Sequence, residues 1–282
     1  MKVLVTGAAG QLGTELVEAF AVAGHDVVPT THASLDICDA DAVCELIETT
    51  RPDWIIHGAA WTAVDACESD PGRADAVNGG GTRNIVSAAG RVGAKVLYVS
   101  TDYVFDGTKQ GPYVETDVPN PQSAYGASKL AGERAMRPAD LIVRISWVCG
   151  FHGGNMVKTI LRLASTNPSL SFVDDQVGHP TFADDAARAM VRLVEAGESG
   201  IFHVTNAGAV SWYEFAREVL RAAGDDPERV RPIATADLQP PRPARRPSNS
   251  VLDNAALRKA GLPGLDDFRI PLKRLVERLM AD

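Results

Sequence analysis

The amino-terminal segment constrains the fold more than any other part of this chain. Residues 2–5 form a short apolar run without polar alternation, which is typical of a parallel strand buried on both faces. Residues 6–13 follow with glycines at G-x-x-G-x-x-G spacing, and helical spacing of apolar residues begins at Leu16. Strand, glycine loop and helix together predict the first unit of a doubly wound parallel sheet.

The glycine loop also predicts a dinucleotide site. Gly7 permits the tight turn, Gly10 lets backbone N–H groups approach a diphosphate, and Gly13 allows close packing of helix on strand. Gln11 and Leu12 belong to the same loop, and the helix N-terminus attracts the anion through free N–H groups and its dipole. The alternative is a purely structural turn, but the flanking strand and helix favour the cofactor.

The segment after the second predicted strand (residues 25–29) leaves the choice between NADH and NADPH open. It holds Thr30, Thr31 and His32 instead of an acidic residue for the ribose 2′-OH, and no Arg or Lys for a 2′-phosphate. Asp36, next to Ile37, is a candidate acceptor for the adenine amino group. Its alternative role is the N-cap of a helix that begins near residue 39.

Tyr125 and Lys129 form a second pattern with chemical meaning. Residues i and i+4 share a helix face, and an ammonium group beside a phenol stabilises the phenolate and lowers the phenol pKa. Such a pair serves general acid–base catalysis. Ser100 or Thr101, at the end of a predicted buried strand, would hydrogen-bond the same substrate oxygen. A chance surface pair is the alternative.

Composition narrows the class of protein. The net charge of −8 argues against binding to nucleic acid or anionic membranes. No apolar run approaches the ~20 residues of a membrane span. The predicted first strand begins at Lys2 and leaves no room for a signal peptide. The four cysteines lack C-x-x-C spacing, so we expect a reduced, cytoplasmic location and neither a disulfide framework nor a zinc site.

The length of 282 residues and the alternating elements predict an α/β fold, a Rossmann-type doubly wound parallel sheet with a smaller, discontinuous α/β substrate domain. The cofactor domain is predicted at 1–148 plus about 171–198 and 232–256. The substrate domain is predicted at about 149–170, 199–231 and 257–282. Ser211 is predicted to cap a helix over 212–223, with Glu214 completing a capping box.

Positive charge is concentrated in a proline-rich segment, residues 240–247, which contains Arg242, Arg245 and Arg246. The segment is either a stiff solvated linker or a diphosphate clamp, because guanidinium groups match phosphate oxygens. Spacing alone does not decide between the two.

Together these motifs resemble the extended short-chain dehydrogenase/reductase superfamily and, within it, the dTDP-4-dehydrorhamnose reductase family. The resemblance covers nearly the whole chain, and its most specific string is residues 100–107. It is also carried by residues 6–13, 35–37, 59–65, 125–133, 144–147, 175–181 and 244–250.

The resemblance implies Thr101, Tyr125 and Lys129 as catalytic residues, an NADPH or NADH cofactor, and a dTDP-sugar substrate in the smaller, sugar-nucleotide-binding domain. Ala59 and Ala60 are implied to contact the cofactor. The residues implied to contact the substrate are Thr62, Val64, Tyr103, Trp147, Asn155, Gln176, Arg245 and Arg246. For Trp147, a place in the hydrophobic core is the alternative.

The chain departs from the family pattern at one place, and some relatives have a metal ion and a homodimer that this chain could share. His57 and Gly58 stand where relatives often have Asn-Ala, which keeps the cofactor preference open. Some relatives hold Mg²⁺ at a homodimer interface, and the candidate counterparts here are Glu15, Asp184 and Asp185. We assign no metal site with these residues.

Two other functions stay open. A sugar-nucleotide epimerase or dehydratase of the same superfamily would use the same fold, although dehydratases generally place Asp-Glu where Asp102-Tyr103 stands here. A non-catalytic regulatory subunit of methionine adenosyltransferase type would keep the cofactor site without turnover.

Overall fold

A computed structural model describes residues 1–281 of the chain. The strands, in chain order, are β1 (Lys2–Thr6), β2 (Asp26–Thr30), β3 (Trp54–His57), β4 (Lys95–Thr101), β5 (Leu141–Ile145), β6 (Val148–Cys149), β7 (Leu170–Val173), β8 (Val177–Gly178), β9 (Thr181–Phe182), β10 (Gly200–His203), β11 (Val210–Ser211) and β12 (Val230–Ile233).

The α-helices, in chain order, are α1 (Gln11–Val22), α2 (Ala40–Thr50), α3 (Val64–Ser69), α4 (Pro71–Ala74), α5 (Gly81–Val92), α6 (Ala124–Glu133), α7 (Met156–Thr166), α8 (Ala183–Glu195), α9 (Trp212–Ala222), α10 (Ala255–Lys259) and α11 (Arg269–Ala281). A π-helical stretch, Asp75–Gly80, joins α4 to α5, and short 3₁₀ turns occur at Asp102–Val104, Pro227–Arg229 and Thr235–Asp237. No helix within residues 1–281 has the length and apolar character needed to cross a membrane.

The central sheet has six strands in the order β10-β5-β4-β3-β1-β2, and every neighbouring pair is parallel. The chain moves outward from β1 to β2 on one side and then returns to β3 on the other, so the order reverses between β1 and β3. Ligands of such sheets bind at this reversal, beyond the carboxyl ends of the strands. The predicted Rossmann-type doubly wound fold is confirmed.

Helices cover both faces of the sheet, which explains the unbroken apolar run of β1. On one face α1 and α8 pack against the sheet, with Leu16 and Phe20 fully buried. On the other face α2 and α5 pack through Val43 and Ile85. Both layers bury apolar area, which dominates the stability of such a domain.

A second hydrophobic core lies among α7, α9, α11 and the parallel pair β7–β12. Two strands depart from the predicted division. β10, predicted in the 199–231 substrate segment, pairs with β5 in the central sheet, and β7, mostly within the predicted cofactor segment 171–198, packs with β12 in the second core. The remaining division stays a prediction. The predicted cap of α9 is confirmed, because the Ser211 hydroxyl accepts a 3.1 Å hydrogen bond from Glu214 N.

Candidate active site

A cavity of about 690 Å³ opens at the reversal between β1 and β3. Its wall includes most residues that the sequence predicted for the cofactor, the chemistry and the substrate. These are Gly7, Gly10, Gln11, Leu12, Gly13, Asp36, Ile37, Ala59, Ala60, Thr62, Val64, Thr101, Tyr103, Tyr125, Lys129 and Trp147. Residues far apart in sequence therefore line one cavity.

The glycine loop has the shape that a diphosphate requires. Gly7 has a φ of 71°, a conformation that favours glycine, and a Cβ added to Gly13 would overlap the Gly7 carbonyl oxygen. Helix α1 begins at Gln11 and has Gly10 as its N-cap, with no side-chain cap within the described residues. Its first-turn N–H groups remain free to bind an anion. The loop thus fits the dinucleotide phosphates.

The far end of the cavity is formed by the loop after β2. Thr30, Thr31, His32 and Leu35 line it beside Asp36. The alternative role of Asp36 as a helix cap is wrong, because Asp39 caps α2 by accepting hydrogen bonds from the N–H groups of its first turn. Asp36 accepts a local 2.9 Å hydrogen bond from Cys38 N. It stays a predicted adenine contact.

Tyr125 and Lys129 lie one turn apart on α6, which Ser123 caps. Both are buried, with exposed fractions of 9% and 3%, so the chance surface pair is excluded. The Lys129 ammonium donates a 2.7 Å hydrogen bond to the Val99 carbonyl oxygen. The Tyr125 ring meets Tyr103 edge-on, with ring centroids 5.5 Å apart.

The environment shifts the pKa of both groups. Burial raises the pKa of the Tyr125 phenol, and the Thr101 side chain partly opposes this shift. Burial lowers the pKa of Lys129 to about 7, while the Glu133 carboxylate raises it. We expected Lys129 to lower the phenol pKa, but burial raises it and the side chain that opposes burial is Thr101. A raised pKa keeps the phenol protonated at neutral pH, as a proton donor must be.

Of the two candidate hydroxyl groups, Thr101 is the one whose side chain acts on the Tyr125 phenol. Its Oγ1 donates to Asp102 Oδ1 at 2.9 Å and accepts from Tyr103 N at 3.2 Å. The Ser100 hydroxyl instead donates to Glu133 Oε1 at 2.6 Å. Both protons are thus donated to buried carboxylates, and the position of Thr101 beside Tyr125 is what favours it as the partner of the substrate oxygen.

Four residues predicted to contact the substrate are not part of the cavity wall. Asn155 caps α7 and donates to Gln11 Oε1 at 2.7 Å. Gln176 donates to Thr235 Oγ1 at 2.8 Å, and Arg245 is exposed. Arg246 forms two 2.9 Å hydrogen bonds with the Asp65 carboxylate. These positions leave the substrate roles of the four residues as predictions.

The three acidic residues considered as metal ligands, Glu15, Asp184 and Asp185, all contact other side chains. Asp184 and Asp185 both pair with Arg188, and Asp185 also accepts from Asn206 Nδ2 at 2.7 Å. Glu15 faces His152 at 3.8 Å. Across residues 1–281 no group of three His, Cys, Asp or Glu side chains is placed to hold a metal ion. The structure gives a magnesium site no support.

Sequence reasoning missed part of the cavity wall. Trp212, Trp61, Arg73 and Ser146 line it as well. Arg73 stacks over the Trp61 ring at 4.6 Å. Trp212 directly follows the predicted helix cap, which locates it on a helix but gives no signal that it faces a cavity.

Comparisons with known proteins place the chain in a family. The family model described as the RmlD substrate binding domain matches residues 1–281 of this chain. A dTDP-4-dehydrorhamnose reductase of Burkholderia thailandensis is 42% identical over 300 aligned positions, covering 100% of both chains. A dTDP-4-keto-6-deoxy-D-glucose reductase of Streptomyces niveus is 40% identical, covering 99% of this chain and 98% of that one.

A solved structure of a family member is similar to this chain in its fold as well. The crystal structure of dTDP-4-dehydrorhamnose reductase from Bacillus anthracis, in complex with NADP, superposes with a TM-score of 0.92. Its sequence is 36% identical, and the match covers 99% of this chain and 98% of that one. The sequence match over the described chain and this likeness agree: the chain belongs to the family of the RmlD substrate binding domain.

Proposed function

We propose that this chain is an oxidoreductase that reduces the 4-keto group of dTDP-4-dehydro-6-deoxy-L-mannose (dTDP-4-dehydrorhamnose) with NAD(P)H to give dTDP-L-rhamnose. The observation that carries the proposal is the single cavity that Thr101, Tyr125, Lys129 and the glycine loop line together. The family and the names of its relatives supply the substrate class.

The chemistry divides between cofactor and protein. A reduced nicotinamide supplies the hydride that C4 of the sugar gains. The first turn of α1 and the loop at Gly7 bind the cofactor diphosphate. The Tyr125 phenol gives its proton to the oxygen at C4 as that oxygen gains charge, and Thr101 Oγ1 hydrogen-bonds the same oxygen. Lys129 binds the nicotinamide ribose and orients it.

The remaining wall holds the dTDP-sugar. Thr62, Val64, Tyr103 and Trp147 surround the sugar, and Gln176 with Arg245 and Arg246 contacts the nucleotide. Arg246 reaches a substrate diphosphate by exchanging the Asp65 carboxylate for phosphate oxygens, which offer the same bidentate geometry.

We also propose that the protein forms a homodimer and works in the cytoplasm. The four free thiols agree with a reducing compartment.

A second substrate is favoured by one relative. The Streptomyces niveus protein is named for dTDP-4-keto-6-deoxy-D-glucose, the same sugar before epimerisation. The two substrates share the 4-keto group, so Tyr125 and Thr101 would act on both in the same way. The residues of the cavity wall around the sugar must therefore distinguish the epimerised sugar from the sugar before epimerisation.

One assay separates these functions. The purified protein is mixed with dTDP-4-keto-6-deoxy-D-glucose and NADH or NADPH, with and without a 3,5-epimerase. Loss of reduced-nicotinamide absorbance only with the epimerase, and formation of dTDP-L-rhamnose, supports the main proposal. Oxidation without the epimerase supports the second substrate. No oxidation in either mixture by protein that binds the cofactor contradicts both and favours a regulatory role, which copurification with a synthetase would support.

A further inference from the structure

Two tryptophans from distant parts of the chain form one stacked wall of the cavity. The indole rings of Trp147 and Trp212 lie 3.6 Å apart between centroids and within 9° of parallel. Both rings line the cavity. Trp147 lies between β5 and β6, whereas Trp212 is the first residue of α9.

Trp147 needs support from its surroundings. Its φ of 46° lies in the left-handed region, which is unfavourable for a bulky side chain. The backbone on either side is tied down: Ser146 Oγ donates to His179 O at 2.6 Å, and Thr181 N donates to Trp147 O at 3.2 Å. These bonds hold the main chain but leave the direction of the indole ring to its packing.

The antiparallel pair β8–β11 forms the surface on which the Trp147 indole ring packs. Gly178 of β8 lies opposite Val210 of β11. A Cβ added to Gly178 would come within 2.7 Å of Trp147 Cε2, so only glycine leaves space for the edge of the ring. Trp212 follows β11 directly and covers the face of the ring. The β8–β11 pair therefore positions both groups that contact the Trp147 indole: Gly178 at its edge and Trp212 on its face.

We infer that Trp212 is a positioning residue, which holds the Trp147 indole where it meets the sugar of the substrate. The inference rests on the proposed function, in which Trp147 contacts the sugar. A stacked partner restricts the ring to one plane before the substrate arrives, and such preorganisation lowers the cost of binding.

A double-mutant cycle tests this role. Trp147→Ala, Trp212→Ala and the double variant are compared by kcat/KM for the dTDP-sugar and by cofactor affinity. Aromatic pairs of this geometry are worth about 2- to 12-fold in an equilibrium constant. We expect Trp212→Ala to lose about that much kcat/KM when Trp147 is present and almost nothing when it is absent, with cofactor affinity unchanged.

Three variants separate positioning from a loss of fold. Trp212→Phe keeps an aromatic face against Trp147 and should restore most of kcat/KM. Tyr213→Ala, on the same turn of α9 but outside the cavity wall, is the matched control and should leave kcat/KM unchanged. Gly178→Ala displaces the ring from its edge and should mimic Trp212→Ala. The near-UV circular dichroism signal of the stacked indoles should be absent in Trp212→Ala and preserved in Tyr213→Ala.

Two failures are distinguishable. If the wild-type protein turns over the dTDP-sugar but the two alanine substitutions lose activity additively, Trp212 acts independently of Trp147 and the inference is overturned while the proposed function stands. If the wild-type protein binds cofactor but turns over no dTDP-sugar, the proposed function falls, and this inference falls with it.

Discussion

Lys129 on α6 is bonded to the backbone of β4: its ammonium group lies 2.7 Å from the carbonyl oxygen of Val99. The same strand continues into Ser100 and Thr101, and the same helix carries Tyr125 one turn earlier. One hydrogen bond therefore fixes the helix that holds the phenol against the strand that holds the neighbouring hydroxyl. General acid catalysis depends on this kind of fixed geometry.

Removal of the Tyr125 hydroxyl should abolish most turnover without affecting the fold. Tyr125→Phe keeps the ring that packs on Tyr103 and removes only the hydroxyl that we propose as the proton donor. We expect kcat to fall by about 100- to 10,000-fold, with unchanged cofactor affinity and thermal stability. Steady-state kinetics measure kcat, cofactor titration measures the affinity, and thermal unfolding measures the stability. Near-normal turnover in this variant would exclude Tyr125 as the donor.

Lys129 should make stability depend on pH. Burial lowers its pKa from 10.5 to about 7, so the unfolded chain holds more protons than the folded protein between these values. The free energy of unfolding therefore rises as pH increases from about 7 toward 10.5 and falls by the same amount as pH returns to about 7. Below about 7 both states hold the proton, so this group adds no further pH dependence. Lys129→Met should remove this dependence.

The comparison is made by urea unfolding of both proteins across this range. We expect Lys129→Met to be the more stable protein near neutral pH, with the difference shrinking at alkaline pH. A difference that stays constant with pH would mean that Lys129 does not titrate in this window.

The buried pair of Glu133 and Arg144 should be costly to break. Arg144 Nε and Nη2 donate to the Glu133 carboxylate at 2.8 and 2.7 Å, and the Arg144 side chain is fully buried. Glu133→Gln leaves the guanidinium without its counter-charge, and we expect a loss of ~3–5 kcal/mol in the free energy of unfolding.

The exposed pair of Lys273 and Glu277, 3.9 Å apart, supplies the control. Glu277→Gln should change the free energy of unfolding by less than ~0.5 kcal/mol, because exposed pairs are solvated. Equal effects of the two substitutions in chemical denaturation would contradict the assigned importance of burial.

His57 should remain neutral and hold one tautomer. Burial lowers its pKa to about 3. Thr82 Oγ1 donates to Asn78 O at 2.6 Å, so His57 Nε2 must donate to Thr82 Oγ1 across 3.1 Å. His57 Nδ1 then accepts from Thr6 Oγ1 at 2.8 Å.

Nitrogen NMR of the labelled protein reads this arrangement directly. We expect the His57 signals of an Nε2–H imidazole, unchanged between about pH 5 and pH 8, where an ordinary histidine titrates. Protonation of this ring within that range would show that the chain of hydrogen bonds is wrong.

The sequence predicted the parts of the site that are local in the chain. Strand, glycine loop and α1 follow one another directly, and the spacing of Tyr125 and Lys129 sets a shared helix face regardless of the rest of the fold. The sequence also showed that no acidic residue follows β2, because this inference depends only on where that strand ends.

Features that depend on pairing between distant segments were not predictable. Ser100 was an open alternative to Thr101 because its bond to Glu133 forms only when α6 packs on β4. The place of β10 in the central sheet depends on its register with β5. The stack of Trp147 on Trp212 likewise depends on the β8–β11 pair, and neither strand is longer than two residues.

The most direct test of the central claim follows the hydrogen that the sugar gains. The protein is supplied with dTDP-4-keto-6-deoxy-D-glucose, a 3,5-epimerase and NADPH or NADH deuterated at the transferred position of C4, and the product is analysed by NMR. The account predicts dTDP-L-rhamnose with deuterium at C4 of the sugar. Product without deuterium at C4, or deuterium that stays on the nicotinamide, would contradict it.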